Sequence, residues 1–255
     1  MQQAKSSKAR YSKGFIFENC HNLNRIAIAD YRAVDTLVTS HPRMEEGMDE
    51  VEYVRKHNIK YLYHMTAISN LRSILQHGLL SHKEAHRLEL VMMDISDPEV
   101  QRRRDDKKDT IYSRLLHDYV PLYFSPRNPM LYRRREIQEN IVILGIKPEV
   151  IFKANTVFSD GNAASKGTIF YNDVAMLDSL CWNIINALNW SDFPEGKRIK
   201  CAEVLVYPKI DVKNIVSIFC YSGNQLSTIH ETIRYFRAIP LSLTISVQVK
   251  PELFF

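Results

Sequence analysis

The clearest hydrophobic pattern in the chain is a series of short apolar segments that starts at residue 59. Segment 59–64 (IKYLYH) alternates apolar and polar side chains and is rich in aromatic residues, which predicts a strand. The uninterrupted apolar segments 141–146 and 202–207 predict buried strands. A further apolar segment at 215–221 and an alternating strand at 243–249 follow. The predicted strands therefore concentrate in the second half of the chain.

Helices are predicted where a polar capping residue precedes apolar residues at helical spacing. Ser69 begins one such segment, and Gly78 ends it in the position that favours a left-handed residue. The sequences DPE at 97–99 and NP at 128–129 each combine a capping side chain with an early proline. Apolar residues between 177 and 188 share one helical face and predict an amphipathic helix. Because these helices do not alternate regularly with the strands, the order favours an α+β fold.

Two regions are distinguished along the chain. Residues 1–58 form a predicted N-terminal extension, in which residues 1–14 are polar, basic and expected to be disordered, and 26–34 could form a short helix. Residues 59–255 form the predicted main domain. The chain contains no apolar run of the length that a membrane span requires, and its polar N-terminus does not resemble a secretory signal.

Charge adds a candidate partner class to this picture. The 255 residues carry a formal net charge of +5, with 45% hydrophobic and 25% charged residues, as in ordinary globular proteins. Residues 99–135 contain ten Lys or Arg against five Asp or Glu. Such a basic stretch suits an anionic partner such as nucleic acid or a dinucleotide, and a solvated charged surface is the alternative.

Several chemistries are excluded by what the sequence lacks. Its eight glycines are too widely spaced for a dinucleotide-binding or phosphate-binding glycine loop. The four cysteines form no C-x-x-C pair, which argues against a disulfide scaffold or a structural zinc site and favours the reducing cytoplasm. His82 and His86 have helical i, i+4 spacing that could hold a metal. A surface helix is the favoured interpretation because the segment offers no further ligands, so we expect no metal.

Glu203 is the first candidate for chemistry, because it lies inside an otherwise apolar predicted strand. An unpaired buried carboxylate costs several kcal/mol, so this residue must be paired, exposed at a sheet edge or functional. A charge on an edge strand, which discourages aggregation, is the competing interpretation.

Three further motifs are candidates for ligand contacts. His64 and Thr66 stand where a strand meets a turn and could reach the polar groups of a ligand, or could satisfy local backbone groups. The arginine run 102–104 could bind phosphate or form a solvated helix face. Segment 117–132 has three prolines and four aromatic residues, Tyr123 among them, and predicts a rigid aromatic loop for stacking planar rings. An aromatic core is the alternative.

These motifs occur together in an order that resembles the DarT-type DNA ADP-ribosyltransferases, the toxin half of a toxin–antitoxin pair. The passages that carry the resemblance are 61–82 (YLYHMTAISNLRSILQHGLLSH), 97–104 (DPEVQRRR), 117–132 (HDYVPLYFSPRNPMLY), 157–163 (VFSDGNA) and 202–206 (AEVLV). The resemblance covers residues 60–255, and its longest motif, 117–132, is specific enough to favour the functional interpretation of Glu203.

The resemblance implies a fold and a set of roles. The expected fold has two small antiparallel sheets with an NAD cleft between them and short flanking helices. Glu203 would be the catalytic glutamate, and an arginine of the 102–104 run, most closely Arg103, would contact phosphate and support catalysis. The NAD-binding set would be His64, Thr66, Arg103, Arg104 and Tyr123.

The implied reaction attaches ADP-ribose from NAD to thymine or guanine in single-stranded DNA, and a DarG-like macrodomain antitoxin is the implied partner. A carboxylate can stabilise the positive charge that develops on the ribose as nicotinamide leaves. Two alternatives remain at this point. One is an enzyme that uses NAD with RNA, protein or water as the acceptor, and the other is a non-catalytic module that binds single-stranded nucleic acid.

Overall fold

A computed structural model describes residues 49–237 and 244–255. The α-helices are α1 (Glu50–Lys56), α2 (Leu71–His77), α3 (His82–Arg87), α4 (Pro98–Asp105), α5 (Pro129–Tyr132), α6 (Trp182–Ile185), α7 (Gly196–Ile199) and α8 (Leu226–Arg237). The strands are β1 (Leu62–Ala67), β2 (Leu79–Leu80), β3 (Val120–Tyr123), β4 (Ile141–Ile146), β5 (Val157–Ser159), β6 (Phe170–Tyr171), β7 (Glu203–Val206), β8 (Lys209–Ile210), β9 (Ile215–Cys220) and β10 (Ser246–Val249). Helices and strands are thus mixed, in agreement with the predicted α+β class.

The predictions for residues 1–14 and 26–34 lie outside the described residues. Helix α1 precedes the predicted boundary at residue 58, and its Tyr53 and Val54 are buried in the main apolar cluster. The division into an extension and a catalytic domain stays a prediction. Within residues 49–237 and 244–255, none of the helices combines the length and apolarity needed to cross a bilayer.

One large sheet organises the described residues. Its order is β10-β9-β4-β1-β3-β7-β5-β6, while β2 and β8 form a separate two-stranded sheet. Strand β10 runs parallel to β9, and the other neighbours in the large sheet are antiparallel. The prediction of two small antiparallel sheets is therefore wrong, because the strands on the two sides are joined through β1 and β3.

The joint between β1 and β3 is narrow. Among the described residues a single ladder pair, Tyr63 with Tyr123, connects these two strands, whereas six pairs connect β1 with β4. Beyond Tyr63 the two strands diverge. The large sheet therefore consists of two four-stranded halves, and the gap between them opens at the carboxyl end of β1.

The two faces of the sheet are packed differently. On one face, a single apolar cluster runs across both halves and includes Val142 and Leu144 of β4 together with Val204 of β7. On the other face, one cluster centres on Ile141 and Ile143 and a separate one surrounds Leu205. Strand β4 is apolar throughout because alternate residues enter clusters on both faces.

Local capping signals predict the helix starts well. Asp97 accepts hydrogen bonds from the backbone N–H groups of Glu99 and Val100, and Asn128 caps α5 in the same way. Gly78 ends α2 with a φ of 83°, as predicted. The predicted cap at Ser69 is wrong, because a 3₁₀ turn over Ile68–Asn70 precedes α2 and makes Asn70 the residue before the helix.

The amphipathic helix predicted for 177–188 is wrong in extent. The chain forms a 3₁₀ helix over Val174–Ser179 and then the single turn α6. The indole N–H of Trp182 donates to the carbonyl of Leu177 at 2.7 Å. The same carbonyl accepts the backbone N–H of Leu180, as in a 3₁₀ helix, whereas a continuous α-helix would give it the N–H of residue 181. The predicted helix is therefore interrupted here.

Segment 117–132 also differs from its prediction as an aromatic loop. Its centre forms β3, and α5 begins within it. The rings of Tyr119 and Phe124 are buried in the core, whereas Tyr132 is 43% exposed. Most of this aromatic surface therefore stabilises the fold, which was the alternative interpretation, and the same segment supplies the strand beside Glu203.

Candidate active site

The Glu203 carboxylate lies inside the sheet. Glu203 is the first residue of β7, which pairs with β3 on one side and β5 on the other, and its exposed fraction is 1%. The alternative interpretation as a charge on an edge strand is therefore wrong. A carboxylate this deeply buried requires compensating contacts.

Arg104 supplies most of that compensation. Its Nη1 atom lies 3.2 Å from both carboxylate oxygens of Glu203, and its Nη2 atom lies 3.2 Å from Oε2. The backbone N–H of Ala163 donates to Oε1 at 2.7 Å. Burial by itself lowers the pKa of Arg104, but the adjacent Glu203 carboxylate outweighs it and raises that pKa. The pair is thus ionic, and the carboxylate is held in one orientation.

The three arginines of the run in α4 point to different sides of the helix. Arg104 is 5% exposed and faces Glu203, whereas Arg102 and Arg103 are exposed. The structure therefore pairs Glu203 with Arg104 and not with Arg103, the residue favoured from the sequence. Arg103 lies on the wall of the cavity described below.

His64 fills the gap where β1 and β3 diverge. Its Nδ1 atom lies 2.9 Å from the carbonyl oxygen of Pro121, which can only accept, so Nδ1 carries the proton. Burial lowers the pKa of His64 despite this hydrogen bond. The ring is therefore neutral at neutral pH, and Nε2 presents a lone pair.

Thr66 is positioned by a residue that the sequence analysis did not identify. The Nδ2 atom of Asn70 donates to Thr66 Oγ1 at 3.1 Å and to the carbonyl of Met93 at 2.8 Å. Its Oδ1 atom accepts the backbone N–H groups of Met92 and Met93. Asn70 is buried and joins β1 to the loop before α4. A buried asparagine at a helix start is the signal that could have identified it.

Tyr123 lies next to Glu203 across the β3–β7 ladder. Burial, and then the nearby Glu203 carboxylate, raise the pKa of Tyr123 well above its usual range. Its hydroxyl therefore stays protonated at neutral pH. Because Tyr123 also pairs with Tyr63, it stands at the joint between the two halves of the sheet.

The segment after β5 supplies the Ala163 amide and was not identified as part of the site. Ser159 Oγ donates to the carbonyl of Gly161 at 2.7 Å, and Asp160 forms an ion pair with Arg198 at 2.9 Å. Lys107 Nζ, which follows α4, donates to the carbonyl of Ser165 at 2.5 Å. Burial lowers the pKa of Lys107, although the Glu203 carboxylate acts in the opposite direction.

A cavity of about 890 Å³ opens beside these residues. Its wall includes His64, Thr66, Arg103, Arg104 and Tyr123. This is the complete NAD-binding set that the resemblance implied, brought together from β1, β3 and α4. Glu203 is not part of this wall but contacts Arg104, which is. The volume and the mixed lining suit a ligand of dinucleotide size.

A family model matches the chain over residues 63–255. Its description is "ssDNA thymidine ADP-ribosyltransferase, DarT". The matched range begins in β1 and reaches the last residue, so it includes all the site residues named above.

Named relatives agree with the family match. The DNA ADP-ribosyl transferase of Thermus sp. (strain 2.9) is 35% identical over 172 residues, which are 63% of this chain and 81% of the relative. A DNA ADP-ribosyl transferase-DNA ADP-ribosyl glycohydrolase fusion protein of Thermosipho africanus is 31% identical over 186 residues. Those are 71% of this chain and 47% of the fusion protein.

Solved structures show the same fold. Thermus sp. 2.9 DarT in complex with ADP-ribosylated ssDNA has a TM-score of 0.70 and 29% identity, over 78% of this chain and 97% of that chain. The complex of the same protein with NAD+ has a TM-score of 0.65 and 28% identity, over 77% and 98% of the two chains.

Proposed function

The chain belongs to the DarT family of single-stranded DNA ADP-ribosyltransferases, and on that premise we propose how its residues carry out the reaction. The protein is an NAD-dependent enzyme that transfers ADP-ribose to a base in single-stranded DNA. We propose thymine as the base, which the description of the matching family model supports. The observation that carries the assignment of roles is the buried Arg104–Glu203 pair beside the cavity.

Glu203 is the proposed catalytic residue. As the bond between ribose C1 and nicotinamide breaks, positive charge develops on the ribose, and a carboxylate near the 2′-hydroxyl stabilises it. With Arg104 in place the carboxylate is almost fully buried. A ribose hydroxyl must therefore replace one of the Arg104 contacts to reach it.

Arg104 is the proposed positioning residue for Glu203. Its guanidinium and the Ala163 amide fix the orientation of the carboxylate before substrate arrives. Arg103, which is exposed on the same cavity wall, is the proposed phosphate contact.

The nicotinamide nucleoside is proposed to lie against the carboxyl end of β1. His64 offers the Nε2 lone pair as an acceptor for a hydroxyl or amide N–H of the ligand. The Thr66 hydroxyl accepts from Asn70 and keeps its own hydrogen to donate. The protonated Tyr123 hydroxyl completes the polar wall.

Transfer to thymine balances as a substitution at ribose C1. The bond to the nicotinamide nitrogen breaks and its electron pair leaves with neutral nicotinamide. The N3 atom of thymine forms the new bond, and its proton passes to a base, for which Glu203 is the proposed acceptor. The base must be unpaired to reach C1, which is why a single strand is the substrate. A cationic nicotinamide is already a good leaving group, so we propose that transfer requires no metal.

The biological setting is that of a toxin with an opposing hydrolase. The fusion relative carries a transferase and a DNA ADP-ribosyl glycohydrolase in one chain. We propose a separate macrodomain antitoxin as the partner of this chain. A cytoplasmic location is proposed because Cys201 and Cys220 are buried thiols, which suit a reducing compartment.

The test is a transfer assay with single-stranded oligonucleotides of mixed sequence. Wild type with NAD should add the mass of one ADP-ribose to oligonucleotides that contain thymine, and Glu203→Gln should not. Labelling that depends on guanine would overturn the choice of base. Release of nicotinamide without labelled DNA would instead favour RNA, protein or water as the acceptor, and binding without release would favour a non-catalytic module.

A further inference from the structure

Three ligand atoms converge on the wall of the cavity. His82 and His86 lie on α3, and Asp94 lies in the loop that precedes α4. We propose that these three side chains form a binding site for a divalent transition-metal ion of the Zn²⁺ type. From the sequence only the two histidines could be identified as candidate ligands. Asp94 comes close to them because of the path of the loop.

The spacing of the ligand atoms suits one bridging ion. The Nε2 atoms of His82 and His86 lie 3.7 Å and 3.5 Å from Oδ2 of Asp94. The three ligand atoms all lie within 4.8 Å of one another. Zinc bonds to nitrogen and oxygen are about 2.0–2.2 Å long, so ligands of a tetrahedral zinc ion are roughly 3.3–3.5 Å apart. Small side-chain rotations would bring the two histidine–aspartate distances into this range.

The distances do not describe direct hydrogen bonds. N–H···O bonds have heavy-atom distances of about 2.7–3.2 Å, and both histidine–aspartate distances are longer. Both ring nitrogens lie at ion-pair distance from the same carboxylate oxygen. An ion between them would satisfy all three groups.

The groups behind the ligands orient them. Oδ1 of Asp94 accepts the backbone N–H of Ser96 at 2.7 Å, which leaves Oδ2 for the histidines. The ring of His82 stacks on His117 with centroids 4.4 Å apart and an interplanar angle of 25°. The Nε2 atom of His117 forms a hydrogen bond of 2.8 Å with Oε1 of Gln101, which holds the His117 ring in place. Such outer contacts fix ligand geometry in metal sites.

The ligand types select the class of ion. Two imidazoles and one carboxylate suit Zn²⁺, Co²⁺ and Ni²⁺, whereas Mg²⁺ and Ca²⁺ prefer oxygen ligands. The three side chains are 29–44% exposed, so an ion can enter from solvent and complete its coordination with water. The site thus differs from a closed structural zinc site.

Occupancy would connect two parts of the cavity wall. Helix α3 contributes no buried residue to the fold, and Asp94 belongs to the loop whose backbone is held by Asn70 at Met92 and Met93. An ion on His82, His86 and Asp94 would tie the helix to that loop. The inference does not depend on the proposed reaction, because binding can be measured without NAD or DNA.

The experiment is a metal titration of the full chain, free of any affinity tag and treated with a chelator. Co²⁺ is the spectroscopic probe, and Zn²⁺ is measured by competition with a metal indicator. We expect one bound ion per chain and a visible Co²⁺ spectrum with nitrogen and oxygen ligands. His86→Gln and Asp94→Asn should each weaken binding at least about tenfold. His230→Gln is the matched control, because His230 is also an exposed helical histidine.

A second measurement locates the ion. Hydrogen exchange of peptides covering residues 82–96 should slow when Zn²⁺ is added to wild type and should not change in Asp94→Asn. Circular dichroism checks that each variant is folded, and both substituted side chains are exposed enough to be replaced without unfolding. Affinity that is unchanged in His86→Gln and Asp94→Asn, or reduced equally in His230→Gln, would overturn the proposal.

Discussion

Arg104 and Glu203 lie 99 positions apart in the sequence and form a buried ion pair in which three N···O distances are 3.2 Å. The same carboxylate accepts the N–H of Ala163. Glu203 is therefore held by α4 on one side and by the segment after β5 on the other. Its orientation depends on both.

The first prediction concerns Arg104. Arg104→Ala should lower the free energy of unfolding by about 3–5 kcal/mol, because it leaves a buried carboxylate without its counterion. Arg104→Lys keeps the charge but not the forked contact, and should lower kcat by about 100-fold or more with a smaller loss of stability. Urea unfolding and nicotinamide release measure the two effects. Arg103→Lys is the matched control and should mainly raise KM for NAD; an equal effect of both lysine variants on kcat would contradict the assigned roles.

The second prediction concerns Asn70. Asn70→Ala removes the donors and acceptors that hold Thr66 and the backbone of Met92 and Met93. We expect a loss of about 1–3 kcal/mol of stability and a KM for NAD raised several-fold, with kcat less affected. Steady-state kinetics and urea unfolding provide the measurements. Ser69→Ala, at the exposed neighbouring position, should leave both quantities near wild type.

The third prediction concerns Gly161, where the chain passes close to Arg198. A Cβ atom at this position would lie 2.9 Å from the carbonyl oxygen of Arg198 and 2.5 Å from its Nη1 atom. Gly161→Ala should therefore cost about 1–3 kcal/mol and, by moving the Ala163 amide, reduce kcat. Gly223→Ala has no atom within 4 Å of the added Cβ and is the control. Equal thermal stability of the two variants would argue against close packing at Gly161.

The fourth prediction concerns the pH dependence of stability. Burial lowers the pKa of His64 below 6.5 in the folded protein. Below pH 6.5 the unfolded chain takes up a proton at this residue while the folded chain does not, so stability is complete above pH 6.5 and is lost as pH falls toward the folded-state pKa. One such group contributes at most about 1.4 kcal/mol per pH unit.

His64→Asn provides the comparison for this pH effect, because the Asn side chain can still donate toward Pro121 and does not titrate. The unfolding midpoint in urea should fall less between pH 7 and pH 5.5 in this variant than in wild type. The remaining slope should come from other histidines with lowered pKa values, such as His117, whose pKa is about 4 through burial and the charges nearby. Parallel slopes in the two proteins would exclude His64 as a source of the pH effect.

Local sequence signals were sufficient where a structure depends on neighbouring residues. The caps at Asp97 and Asn128 and the apolar strand β4 could be predicted because each is determined within a few positions. The break after residue 179 could not, because it coincides with a contact between the Trp182 side chain and the carbonyl of Leu177. Hydrophobic periodicity shows which side chains are apolar. It does not show which side chains form hydrogen bonds with a backbone carbonyl.

The site was predictable as a set of residues but not as a geometry. The family motifs identified His64, Thr66, Tyr123 and Glu203, and all but Glu203 lie on the cavity wall. The choice between Arg103 and Arg104 depended on which face of α4 packs against β7, a long-range property. The role of Asp94 was likewise hidden, since it lies eight positions beyond His86 and has no periodic relation to it.

The single ladder pair between Tyr63 and Tyr123 makes the stability of the sheet unequal along its width. Separating β1 from β4 breaks six residue pairs, whereas separating β1 from β3 breaks one. The continuous apolar cluster on one face contains residues of both halves and holds them together. We therefore expect the sheet to open most easily between β1 and β3, next to the cavity wall formed by His64 and Tyr123.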